Sequence, residues 1–218
     1  MNTPLAVIGF GGHGRVVAAA LQAAGHSIVA ATDLEPTEYA QQSVDFEVIS
    51  DAALLQRYSP EQVRLVCGVG SIWPCGSSGP RARCVEKFKS LGYRFVGLRH
   101  PFSWVAPNAQ LSETCQIHAG AVLQAGAIVG DFTIINTRAA VDHDCRIGEL
   151  CHIGPGVTLS GNVEVGAGTL LGTGSTVIQG IKIGRQCFVA AGATVVRDVP
   201  DGQFVRGTPA RPFVPSSF

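Results

Sequence analysis

From Val105 to Pro200 the chain divides into sixteen consecutive six-residue units, VAPNAQ through VVRDVP, and every unit begins with Val, Leu or Ile. Those three residues make up about one residue in four or five of ordinary proteins, so sixteen in one fixed frame reflects structure and not composition. The fifth place of each unit is equally narrow, holding only Ala, Cys, Thr, Ser, Val or Ile. A repeat that turns one aliphatic residue inward every six, with small residues where the chain rounds a corner, predicts a parallel β-helix. Cys115, Cys145, Cys151 and Cys187 all occupy the fifth place and are expected as small core residues. Cys67, Cys75 and Cys84 lie in or beside a glycine-rich loop without CxxC pairing, and no metal site is expected from them.

The repeat claims the C-terminal half of 218 residues, which leaves a second domain of about a hundred residues before it. The division is placed at 1–99 and 100–218, beside His100 and Pro101. Sixteen basic residues balance sixteen acidic ones, so nothing electrostatic points to nucleic acid or an anionic membrane. The early apolar run LAVIGF is too short for a signal or spanning segment, and a cytoplasmic protein is expected. LAVIGF, SIVAATD and QVRLVCGVG have strand character. RVVAAALQAAG, DAALLQRYS and the stretch from Pro80 to Leu91 have helix character. Their alternation predicts a parallel sheet with packed helices, an α/β half-Rossmann unit.

Gly9, Gly11 and Gly14 form G-x-G-x-x-G between a strand and a helix. Glycines there let backbone approach a phosphate, which the free N–H groups and the positive helix end bind. Asp33 ends the next strand, where a carboxylate accepts hydrogen bonds from a ribose or base. Taken alone the fingerprint suggests NAD, but a hundred residues supply half of a dinucleotide sheet and suit a mononucleotide better.

The run GFGGHGRVV, the α/β unit, His100-Pro101 and a repeat containing INTRAAVDHDCRIGELCHIGPG together resemble the sialic acid O-acetyltransferase-like family of nucleotide-sugar acetyltransferases. Its members include N-acetyltransferases acting on UDP-4-amino sugars and on GDP-perosamine. The resemblance implies a left-handed parallel β-helix with three units per turn, so that residues eighteen apart stack. It implies acetyl-CoA as acetyl donor, a nucleotide-sugar acceptor, and a homotrimer with active sites between subunits. By the same resemblance His143 is the general base, since neutral imidazole can take the amine proton at cellular pH. Asp144 orients it, with Glu149 as a substitute partner. His152, Gly161, Thr173 and Ala191 contact acetyl-CoA, and Gly161 also lies eighteen residues beyond His143. Lys182, Arg185 and Arg206 are candidates for its phosphates. Gly11, Gly12, His13 and Asp33 hold the nucleotide, and Asn136 lies near the sugar. Asn136 serves equally as a turn contact within the coil, and His13 as packing against the sheet end. Residues 207–210 cover the cofactor groove or simply cap the last coil. An O-acetyltransferase, a nicotinamide-dependent oxidoreductase and a nucleotide-sensing scaffold stay open as other classes. So does the choice between GDP and UDP.

Overall fold

A computed structural model describes residues 3–34, 44–70, 76 and 79–214. Cys75 and part of the glycine-rich loop lie outside the described residues.

The first domain is a parallel sheet of β1 (Leu5–Ile8), β2 (Ile28–Thr32), β3 (Glu47–Ile49) and β4 (Arg64–Cys67), in the order β3-β2-β1-β4. Sequence reading passed over β3, because three half-exposed residues on a sheet edge carry no apolar alternation. The three helices are α1 (Gly12–Ala23), α2 (Asp51–Arg57) and α3 (Pro80–Ser90). Ser50 caps α2 by accepting the Ala53 N–H, and Pro80 opens α3 at the position where its missing N–H costs nothing. α1 starts at Gly12, three residues before its first strongly helical residues, because the glycine turn itself becomes its first turn. Gly14 is required there: a Cβ would sit 2.0 Å from the Gly9 carbonyl oxygen. That contact seats the helix directly on β1.

The second domain is the expected left-handed parallel β-helix with hexapeptide repeats. Sixteen two-residue strands, Trp104–Val105 to Thr194–Val195, match the sixteen units one for one, with the aliphatic residue second in each strand. Residues eighteen apart pair in parallel, as Ile134 with His152 and then Leu170. Three flat faces result. The first carries Gln116–Ile117, Ile134–Ile135 and His152–Ile153; the second, Val122–Leu123, Ala140–Val141 and Thr158–Leu159; the third, Ile128–Val129, Arg146–Ile147 and Glu164–Val165. Ile117, Leu123, Ile135, Val141 and Ile153 are wholly buried along the axis, and Cys145, Cys151 and Cys187 fill the corners beside them. The fourth place of every unit from the third to the fifteenth turns left-handed. Glycine holds it in Gly120, Gly126, Gly156 and Gly168, but Phe132, Arg138, Asp144, Leu150, Asn162 and Gln186 adopt it at φ between 53° and 59°. Each costs about 1–2 kcal/mol that coil packing offsets.

The YRFVGLRHP run straddles both domains. Phe95 bridges Leu65 of the sheet, and Leu98–Arg99 already pairs with Gln116–Ile117 on the first face. At the other end Phe204–Arg206 extends the first face and Arg211–Pro212 folds back on it antiparallel. Ala210 and Gly207 bond to Thr194 of the last second-face strand, so this closing loop caps exposed strand edges.

Candidate active site

The α/β domain meets the first face. Buried Arg81 of α3 donates Nε–H to the Phe132 carbonyl at 2.9 Å and Nη1–H to the Val69 carbonyl at 2.7 Å, tying helix, sheet edge and β-helix corner together. Gln116 donates its amide to the Cys67 carbonyl at 2.6 Å, which turns its Oε1 toward His13 Nε2 at 3.0 Å. Since that oxygen can only accept, His13 carries its proton on Nε2. The His13 ring also lies edge-on to His118, with centroids 5.2 Å apart, and 6.4 Å from His152. Burial holds His13 down to about 4 and His118 down to about 3, so both are neutral. Neither ring nitrogen of His118 has a hydrogen-bond partner among the described residues. Sequence reading missed Arg81, Gln116 and His118, because their roles exist only where the two domains touch.

His13 also borders a cavity of about 710 Å³ in the α/β domain, lined in addition by Gly11, Gly12, Asp33, Asp51, Arg83 and Lys87. The four residues expected to hold the nucleotide are thus together. A Cβ on Gly11 or Gly12 would meet nothing within 4 Å, and the first helical bond, Arg15 N–H to the Gly11 carbonyl, leaves the preceding amides at the helix mouth. With no acidic residue in the first turn of α1, this end suits an anion. On the cavity wall, a hydrogen bond with Cys67 and burial hold the Cys84 thiol well above its ordinary value, so it is neutral.

Asn136 and His152 form a second group, on the first face and its corner with the second. The Asn136 Oδ1 accepts the Thr137 N–H at 2.7 Å, so its amide nitrogen donates to His152 Nε2 at 3.0 Å. His152 therefore carries its proton on Nδ1, a donor suited to a carbonyl oxygen. Thr173 and Ala191 are exposed in a column along this same corner.

His143 and Asp144 stand apart from both groups, on the corner between the second and third faces. Asp144 Oδ2 lies 2.9 Å from His143 Nδ1. The left-handed turn at Asp144, φ 59°, directs the carboxylate back along the corner, where Gly126 in the preceding coil makes room: a Cβ there would lie 2.5 Å from Asp144 Oδ1. The bond from Asp144, with the nearby Asp142 charge, holds His143 above its ordinary value although the ring is exposed. Nδ1–H is thereby fixed toward Asp144, which leaves Nε2 as the ring nitrogen that carries the lone pair. The ring lies over Gly161, whose absent Cβ would be 2.3 Å from Nε2. Glu149 is no substitute partner, because it sits on the corner between the third and first faces and borders different grooves. Of the phosphate candidates, Lys182 and Arg185 border a groove of about 730 Å³ on the third face with Arg146, and Lys182 is 3.2 Å from Glu164. Arg206 instead covers the Phe213 ring.

Residues 4–74 match the PglD N-terminal domain family and residues 126–161 the bacterial transferase hexapeptide family of six repeats. The acetyltransferase domain of PglB from Neisseria gonorrhoeae, solved in complex with acetyl coenzyme A, is 39% identical over 98% of this chain and 100% of its own, with a TM-score of 0.86. PerB from Caulobacter crescentus, solved with CoA and GDP-perosamine, is 36% identical over 97% of each chain, with a TM-score of 0.84. WeeI from Acinetobacter baumannii, 21% identical over 97% of this chain and 100% of its own at a TM-score of 0.82, shares the fold. No curated protein matches the chain in sequence. Among the described residues no helix is long and apolar enough to cross a membrane.

Proposed function

The chain belongs to the family of acetyl-CoA-dependent sugar N-acetyltransferases with a PglD-type N-terminal domain, and on that premise we propose that it acetylates the 4-amino group of a nucleotide-linked amino-deoxy sugar with His143 as general base. The observation that carries this reading is the His143–Asp144 pair at 2.9 Å, exposed on a β-helix corner above a glycine. The neutral amine attacks the thioester carbonyl carbon, a C–N bond forms, and the nitrogen's proton passes to His143 Nε2. Collapse breaks the C–S bond, and the imidazolium returns the proton to the departing thiolate. Asp144 keeps the base tautomer and favours the imidazolium formed on the way.

In this reading the nucleotide sits in the α/β cavity, with its phosphates at the α1 mouth, Gly11, Gly12 and His13, and Asp33 beyond. PerB, the relative solved with GDP-perosamine, supports a nucleotide sugar as acceptor. His152, through its Nδ1–H, and Gly161, Thr173 and Ala191 border the acetyl-CoA path, with Asn136 fixing the His152 tautomer. The second face lies between the His143 corner and the His152 corner, so one chain does not bring the two histidines together. A homotrimer, with His143 of one subunit facing His152 and the cavity of the next, completes the site. Amine is favoured over hydroxyl as acceptor because both relatives carrying this architecture at more than a third identity are acetyltransferases and PerB acts on an amino sugar nucleotide. The test is thiol release from acetyl-CoA over UDP- and GDP-linked 4-amino sugars and matched hydroxyl sugars. His143→Ala lowers kcat on the accepted amino sugar by ~10² or more. Unchanged turnover in that variant, or transfer only to hydroxyl sugars, would sink the reading.

A further inference from the structure

We propose that the Asp51–Lys87 pair lining the α/β cavity reads the nucleobase and selects guanine over uracil. The inference rests on the nucleotide-sugar reading above and specifies its nucleotide. The cavity that the glycine turn and Asp33 line is also lined by Asp51 and Lys87, with Val69, Pro80 and Phe88 on its wall. A mononucleotide with phosphates at the mouth of α1 and ribose beside Asp33, at the end of β2, places its base farther along this wall. There the polar groups come from two different helices: Asp51 opens α2 and Lys87 lies in α3, 36 positions away, with Lys87 Nζ 2.6 Å from Asp51 Oδ2.

As a stability device the pair is weak. The side chains are 32% and 51% exposed, and partly exposed pairs of this kind contribute little. As a reading head it has a specific pattern, a carboxylate beside an ammonium. Asp51 Oδ1 has no hydrogen bond among the described residues, and each carboxylate oxygen can accept more than one. Two neighbouring N–H donors satisfy a carboxylate edge, and an adjacent carbonyl then faces the ammonium. Guanine offers that run as N2–H, N1–H and O6. Uracil offers one N–H between two carbonyls, so a carboxylate that accepts from N3–H sets its second oxygen against a carbonyl oxygen. The mismatch leaves a partly desolvated charge facing like partial charge, the type of mispairing that discriminates strongly. Asp33, at the end of β2, is assigned to the ribose in this reading, so the two carboxylates have separate tasks.

The test is calorimetric titration of the whole chain with GDP, IDP and UDP, without acetyl-CoA. IDP differs from GDP only by loss of the 2-amino donor. GDP is expected to bind at least ~10-fold more tightly than IDP or UDP, the size of one charge-assisted hydrogen bond. Asp51→Asn brings GDP down to the level of IDP, with circular dichroism checking that α2 survives. Lys87→Met weakens GDP and IDP alike, since both keep O6. UDP binding as tight as GDP, or an Asp51→Asn protein that binds GDP within twofold of the parent, overturns the inference and leaves the acetyltransferase reading standing. Binding of no nucleotide at all overturns both.

Discussion

Replacing Gly161 by alanine is the sharpest probe of the catalytic corner. The added Cβ falls 2.3 Å from His143 Nε2, 2.5 Å from Cε1 and 3.0 Å from Cδ2, where ordinary contact begins near 3.4 Å. The ring must retreat by about 1.1 Å, the difference between 2.3 and 3.4 Å, and because it is exposed it can do so by swinging into solvent. The fold therefore loses little, while Nε2 leaves its position and the Asp144 bond leaves its alignment. A misplacement of about 1 Å in a reacting group costs on the order of 10²-fold in rate. Thiol-release kinetics on the accepted nucleotide sugar should show kcat reduced by ~10², KM for the nucleotide sugar within about threefold, and an unchanged melting temperature. A Gly161→Ala enzyme with kcat within threefold of the parent would refute the reasoning, since the base could then not depend on the ring position seen above Gly161.

Asp144→Asn keeps a side chain that tolerates the left-handed turn and still meets Nδ1, but it removes the charge that raises His143. The acid limb of the kcat/KM profile, set in the parent above the ordinary imidazole value, should move down toward about 6.5 and the plateau should fall about tenfold; a profile that does not move would assign the limb to another group. His13 and His118 are neutral in the fold with values lowered to about 4 and about 3. The unfolded chain therefore binds more protons below about 6.5, and stability is full above that pH and falls as pH drops toward 4, read as a declining urea midpoint that His118→Phe should partly flatten. Leu159→Ala, at a wholly buried axial position, should cost about 2–5 kcal/mol in urea unfolding, and a loss under 1 kcal/mol would mean the coil axis repacks freely.

The sixteen aliphatic first positions determined the β-helix by themselves, because each must be buried and six-residue spacing admits one way to bury them all. With the three units per turn that the family resemblance implied, the same frame placed Gly161 against His143, since residues eighteen apart then stack. Gly9, Gly11 and Gly14 marked the first helix mouth for a local reason: Gly9 turns at φ 87°, Gly14 lies against the Gly9 carbonyl, and Gly11 leaves the mouth open. What tertiary structure alone decided are relations between segments that no period connects. The Glu149 corner was excluded as the histidine's partner by the face it falls on, which needs the coil and not the spacing of acids along it. Gln116 fixes the His13 tautomer across 103 positions, Arg81 reaches Phe132 across 51, and Lys87 meets Asp51 only because α2 and α3 are neighbours in the fold. Local propensity and periodicity act over a few residues, whereas a tautomer, a burial-lowered imidazole or a paired charge depends on whatever the folded chain sets beside it.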